Sequence, residues 1–275
     1  MTERNLLIHM GGLGDVCLSE STFYSLSEHF QGKLLALGVK KYLRLFSPYF
    51  ESIDDIGSSR YLFLFSEDHR EPAFDNVILI GKDKRHTLRR RLERISRERM
   101  IFIDMYPEGE RIHVEEYQLN QLDLEGIKPK RKELTLNLNP VIILYPERRI
   151  RKAKWEHKNY LDLRRRLNER GISSVILSHE RIDIFGEDLT LIEDLDLMKE
   201  FLKEKGGIFV SSDGGCAHLA CALGLFTVTL FFDTDPYVWH PRRNNVFITP
   251  ESGKIGVEKV TETLISLYLS FFRDL

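Results

Sequence analysis

Short apolar runs alternate with stretches of helical period along almost the whole chain, and few folds are open to a chain built this way. Asn5–Met10, Lys33–Leu37, Tyr61–Phe65, Val77–Ile80 and Met100–Ile103 read as strands, with helical spacing over Leu18–Phe30, Arg85–Arg99 and His113–Asp123. The habit then repeats. Strands are expected at Val141–Leu144, Ser174–Leu177, Ile208–Val210, Thr227–Phe231 and Val246–Ile248, and helices at His157–Arg170, Asp194–Lys205 and Gly215–Leu223. Parallel neighbours need a crossover connection, so strand–helix alternation builds parallel sheets covered by helices. Two sets of it predict an α/β protein of two doubly wound domains.

The seam falls in Lys128–Pro140, a polar basic stretch followed by Asn137-Leu138-Asn139-Pro140 directly before a new strand. This sets a first domain at 1–135 and a second at 136–255, followed by a helix over 256–275 with Val257, Val260, Leu264, Leu267 and Phe271 at helical spacing. At 275 residues, 42% apolar and 30% charged, the chain can bury two sizeable cores. A net charge of −2 gives no argument for nucleic acid as a partner. Cys17, Cys216 and Cys221 have neither metal nor disulfide spacing, and no signal-peptide or membrane-span run is present. A cytoplasmic protein is the expectation.

Chemistry concentrates in Gly207–Pro241. An apolar run, Ile208–Val210, ends in Ser211-Ser212-Asp213-Gly214-Gly215; a helical pattern follows, then a second apolar run. In such a βαβ unit the glycines allow close approach, and the free amides of the helix start attract an anion. His218, on or near the first helical turn, can reach the same anion; a plain βα turn with a core-facing histidine is the alternative. The first strand likewise enters a glycine turn, Gly11-Gly12-Leu13-Gly14-Asp15, but Cys17 stands where a dinucleotide fingerprint needs its last glycine, which argues against a nicotinamide enzyme. Asp15 is left as a general base at a strand's C-terminal end or as a helix N-cap.

Five of the seven residues from Arg148 to Lys154 are basic, on a loop after a strand, where they suit phosphate contacts or form a solvated turn. Trp155 reads as a packing anchor. Asp233-Thr234-Asp235 and Asp194-Leu195-Asp196 match a metal motif of three residues, but no cluster has ligand spacing and no metal is expected. Lys82–Arg99 carries nine Lys and Arg against three Asp and Glu, with Leu88, Leu92 and Ile95 at helical spacing. That is a cationic helix, suited to an anionic membrane face or simply solvated.

Together these residues resemble glycosyltransferase family 9, the bacterial heptosyltransferases of lipopolysaccharide core assembly. The family's Gly-Asp near the N-terminus is matched by Gly14-Asp15, and its Lys/Trp element by Lys152–Trp155. Its Asp-x-Gly-x-x-His-Leu-Ala signature is matched by Asp213, Gly215, His218, Leu219 and Ala220, and its Thr-Asp-Pro turn by Thr234, Asp235 and Pro236, with Trp239 and Pro241 beyond. The resemblance implies a GT-B architecture, two Rossmann-like domains facing a cleft, with the 256–275 helix crossing back to the first. It further implies inverting, metal-independent transfer of a heptose-type sugar from an ADP-sugar to a lipopolysaccharide-core-like acceptor, without a cofactor, at or near the cytoplasmic membrane face. In that scheme Asp15 deprotonates the acceptor, and Lys152 or Lys154 stabilises the leaving diphosphate with the Gly214-Gly215 amides. Gly12, Gly14, Arg151, Asp213, His218, Thr234 and Asp235 serve the donor, and Glu180 its ribose.

The match has departures. Gly214 stands where the family has Ser or Thr, Ala153 where its lysine usually lies, Glu156 in place of a proline, and Asp233 where a Gly-Pro turn is typical. They keep two alternatives open: a nucleotide-sugar-binding member without turnover, or another nucleotide-sugar enzyme, a hexosyltransferase or epimerase, on the same fold.

Overall fold

The computed structural model describes residues 4–66, 73–147 and 155–273. The chain separates into two compact units, Met1–Glu133 and Leu134–Leu275. The first contains β1 (Asn5–His9), α1 (Leu13–Leu18), α2 (Glu20–His29), β2 (Leu34–Gly38), α3 (Lys40–Leu43), β3 (Ser52–Asp55), β4 (Phe74–Gly81), α4 (Thr87–Ile95), β5 (Ser96–Asp104) and α5 (Val114–Leu124). Its five strands pair in the order β3-β2-β1-β4-β5, all parallel. Leu6, Ile8, Leu37, Val77 and Leu79 bury one face of this sheet against Leu92 and Ile95 of α4.

The second unit contains β6 (Ile142–Tyr145), α6 (His157–Asn168), β7 (Ser174–Ser178), β8 (Leu189–Leu191), α7 (Leu195–Lys205), β9 (Ile208–Ser212), α8 (Gly215–Ala222), β10 (Phe226–Leu230), α9 (Pro236–Trp239), β11 (Asn245–Ile248) and α10 (Val257–Phe272). Its six parallel strands run β11-β10-β9-β6-β7-β8. Numbered within the unit this is the doubly wound dinucleotide-fold order, and strand order reverses between β6 and β9, as it does between β1 and β4 in the first unit. Ligands of open α/β sheets bind outside the carboxyl ends of the strands at such reversals. The fold thus marks the loops after β1 and β9 before any side chain is considered.

Several elements differ from the sequence expectation. Tyr61–Phe65, expected as a strand, lies in a 3₁₀ helix, Ser59–Phe65, because its buried residues Tyr61 and Leu64 are three apart rather than alternating. The short edge strands β3 and β8 have no interior alternation to show and were not expected. The cationic helix stops at Ile95, and the following charged residues form the start of β5. Leu92 and Ile95 are buried in the domain core with Leu88 packed against it, so the helix has no apolar face left for lipid. Several of its neighbouring cations are also engaged: Lys82 with Asp104 at 2.8 Å, Arg97 with Asp75 at 3.5 Å, and Arg89 over the Phe102 ring at 3.7 Å.

Helix α10 shares its core with α6 of the second unit. Val260, Leu264 and Phe272 are buried in one cluster with Tyr160, Leu163 and Leu167. Trp155 is the anchor expected of it: its ring packs edge-on to Tyr160 at 4.9 Å, and its Nε1 donates to the Ile255 carbonyl at 2.8 Å. The three cysteines are buried thiols. Among the described residues, no helix is long and apolar enough to cross a membrane.

Candidate active site

In the first unit the loop after β1 is folded around a buried histidine. His9 ends the strand at 1% exposure; its Nδ1 accepts from the Gly11 N–H at 3.2 Å, which leaves Nε2 to donate to Ser19 Oγ at 3.1 Å. Ser19 in turn donates to the Asp15 carbonyl at 2.8 Å. Burial holds the imidazole neutral, with its pKa lowered to about 3, which suits a ring that accepts on one nitrogen. Asp15 sits in the first turn of α1, where Oδ2 accepts from the Gly12 N–H at 2.8 Å. The N-cap is Gly12, not Asp15 as the alternative had it; Asp15, the third helical residue, bonds back to the N-cap N–H. Desolvation nonetheless raises the Asp15 carboxyl above its ordinary value, against the lowering effect of the Gly12 N–H. A carboxylate destabilised in this way is a better proton acceptor than a solvated one.

Gly11 makes the arrangement possible. A Cβ there would lie 2.5 Å from Asp15 Cβ and 2.8 Å from His9 Cε1. In the sequence Gly11 stands out only as part of the glycine turn, and His9 does not stand out. The signals were a polar residue closing an apolar strand and a doubled glycine.

In the second unit, β9 delivers Asp213 and Gly214 to the N-terminus of α8. Asp213 is oriented by the Thr234 hydroxyl, which donates to Oδ2 at 2.6 Å, while His218 Nε2, on the first turn of α8 and 6% exposed, lies 3.9 Å from Oδ1. Asp235 caps α9 by accepting from the Tyr237 N–H at 2.9 Å, with Pro236 at the first helical position. The 213–218 and 234–235 segments are thus one local structure, joined by a bond between residues 21 apart in sequence. Thr234→Val is expected to remove about 1.5 kcal/mol of stability, the worth of a hydrogen bond to a carboxylate, read as a lower urea midpoint at constant slope.

Beside this lies a group the sequence did not reveal. Tyr145, fully buried at the end of β6, accepts from Cys216 Sγ at 3.1 Å and bonds His179 Nδ1, and the two rings stack at 6.0 Å and 6°. Burial first, then the neighbouring Cys216, push the Tyr145 phenol well above its ordinary range, so it stays protonated. Glu180 follows β7 as expected, its N–H donating to Ser178 Oγ at 3.2 Å and its carboxylate 3.6 Å from His179 Nε2. The pairing of Tyr145 with His179 has no sequence signal, because it exists only where β6 and β7 are neighbours.

The sequence-derived residues therefore form two sets. Gly12, Gly14 and Asp15 belong to the first unit; Glu180, Asp213, Gly214, Gly215, His218, Thr234 and Asp235 belong to the second. Arg151, Lys152 and Lys154 lie outside the described residues. Among the described residues no group of three or more His, Cys, Asp or Glu could hold a metal ion.

With strand order, switch-point loops and the signature turn in place, the sequence pattern of Glycosyltransferase family 9 (heptosyltransferase) matches residues 65–255. The chain belongs to that family. It is a glycosyltransferase, with the GT-B-like arrangement of two parallel sheets and alternating helices. E. coli heptosyltransferase WaaC with ADP is similar at a TM-score of 0.71 and 16% identity, over 96% of this chain and 99% of that one. The E. coli ADP-heptose lps heptosyltransferase II gives a TM-score of 0.71 at 18% identity, over 97% and 99%. TibC from enterotoxigenic E. coli, described as an iron-containing dodecameric glycosyltransferase, is similar at 0.58 and 14% identity, over 91% of this chain and 64% of its own. A comparison of sequences with curated proteins returns no match.

Proposed function

We propose that this family 9 glycosyltransferase moves a heptose-type sugar from an ADP-sugar to a lipopolysaccharide-core-like acceptor, with inversion and without a metal. The observation that carries the reading is the start of α8 at the β6/β9 reversal, where Asp213, His218 and Thr234 are fixed around the amide end of the helix. Such a turn suits a diphosphate, because the N–H groups and the helix dipole face the anion. The likeness to WaaC, whose structure holds ADP, supports the choice of nucleotide.

In this scheme Asp15 takes the proton of the acceptor hydroxyl as its oxygen attacks the anomeric carbon from the face opposite the diphosphate. The carbon–oxygen bond to the β-phosphate breaks, and ADP leaves with the electron pair. The Gly214-Gly215 amides and a lysine, Lys152 or Lys154, stabilise the developing charge. His218 and Arg151 serve the phosphates, Glu180 the ribose, and Thr234 and Asp235 shape the turn. Any contact with an anionic membrane rests on exposed charge in the 82–99 segment, chiefly Lys84, Arg85, Arg90 and Arg94, since its apolar face is used internally.

Two measurements test the reading. ADP at a hundred times its Kd is expected to stabilise the protein by about 2.7 kcal/mol, seen as a rise in Tm that GDP and UDP do not match. ADP release from ADP-heptose is expected with lipid A–Kdo acceptors. Stabilisation by UDP or GDP in place of ADP would point to another nucleotide-sugar enzyme, and ADP binding without transfer to any acceptor to a member lacking turnover.

A further inference from the structure

Glu147 follows β6, and its carboxylate lies against the backbone of Gly214. A Cβ built on Gly214 would sit 2.2 Å from Glu147 Oε1 and 3.3 Å from its Cδ. Gly214 has φ 177° and ψ 170°, an extended backbone that any residue adopts, so conformation does not demand a glycine there. What a side chain lacks is room, and the room is taken by the Glu147 carboxylate. Its main chain is held: the Glu147 carbonyl accepts from His157 Nε2 at 2.8 Å, and His157 packs edge-on to Phe185 at 5.7 Å. A carboxylate from another strand therefore stands at the positive end of the helix, in the space beside the amides that an incoming phosphate would use.

We propose that Glu147 is a resident anion of the donor-phosphate site, which the donor must displace, and that it sets how tightly the site takes an anion. The inference rests on the α8 site of the proposed function. Two anions at one helix start repel, so the affinity of the site is the intrinsic affinity reduced by the eviction of Glu147. Gly214 is the partner of this arrangement: a serine there would push the carboxylate out and supply a hydroxyl in its place.

Titration calorimetry on the full chain, with ADP and separately with inorganic pyrophosphate, tests it. Glu147→Gln keeps the shape and removes the charge, and is expected to lower the Kd of both ligands about tenfold. Gly214→Ser is expected to act in the same direction, and the double variant to gain less than the product of the two, because both remove one obstruction. Thermal unfolding confirms that each variant is folded. Unchanged or weaker binding of both ligands by Glu147→Gln overturns the proposal, as does an absence of binding in every variant. Weaker binding of ADP alone also overturns it, by making Glu147 a direct donor contact. Tighter pyrophosphate without ADP binding keeps the role of Glu147 and removes the ADP-sugar reading; ADP binding indifferent to Glu147 does the reverse.

Discussion

Asp15→Asn is expected to lower the transfer rate by about 10²–10⁴-fold, the usual contribution of a general base, while ADP affinity stays unchanged. The substitution is clean because Asn keeps an acceptor for the Gly12 N–H and fits the space beside Gly11. It also keeps the fold. The folded-state pKa of Asp15 is raised by burial, so the ionised form is the disfavoured one in the native protein. The stability linked to this group is full below the unfolded pKa and is lost as pH rises through the folded value. Near neutrality, removing the charge is therefore expected to leave Tm equal or higher, and lost activity cannot be blamed on unfolding. The same shift sets a pH profile. kcat/KM is expected to rise with pH through a carboxyl titration displaced above the ordinary 3.8, and the Asn variant to lose that limb. Transfer at the wild-type rate in Asp15→Asn would remove the proposed base.

Gly207→Ala is expected to destabilise the second unit by about 3 kcal/mol or more, from a left-handed alanine and a backbone clash together. Gly207 has φ +90°, and a Cβ there would lie 2.3 Å from the Val141 carbonyl oxygen and 3.0 Å from that of Asn139. Neither atom can swing aside as a side chain would. Both belong to the run that enters β6, and the Val141 carbonyl already accepts from the Ile208 N–H at 3.0 Å. Relief requires β9 to shift against β6, the pair whose carboxyl ends carry Tyr145 and Asp213. Urea unfolding is expected to show a lower midpoint, and any folded fraction a weakened response to ADP. A midpoint within error of wild type would show that the β6–β9 junction tolerates displacement, and that the close approach of Gly207 is not what holds it.

The two cases differ in how far the sequence showed them. Asp15 was visible as the first carboxylate after a strand–glycine turn, and the 213–218 run as a helix start, because both are local patterns. The neutral His9 that sets the Gly11 loop was not visible, since its tautomer depends on partners from the strand end and from α1. Tyr61–Phe65 and the end of the cationic helix were misread where burial at a spacing of three, or charge on an edge strand, imitates another element.

What the sequence by itself determined is the class of fold and the ends of the strands where chemistry collects. Both follow from periodicity and turn residues, which act within a few positions of the chain. The tertiary structure alone decided which groups meet there. Cys216 reaches Tyr145 across 71 residues, and Glu147 fills the space over Gly214, because β6 lies beside β9 as well as beside its successor in the chain. Strand order is a property of the whole packed unit, so no local pattern announces that the glycine of the best motif is empty for the sake of a distant carboxylate.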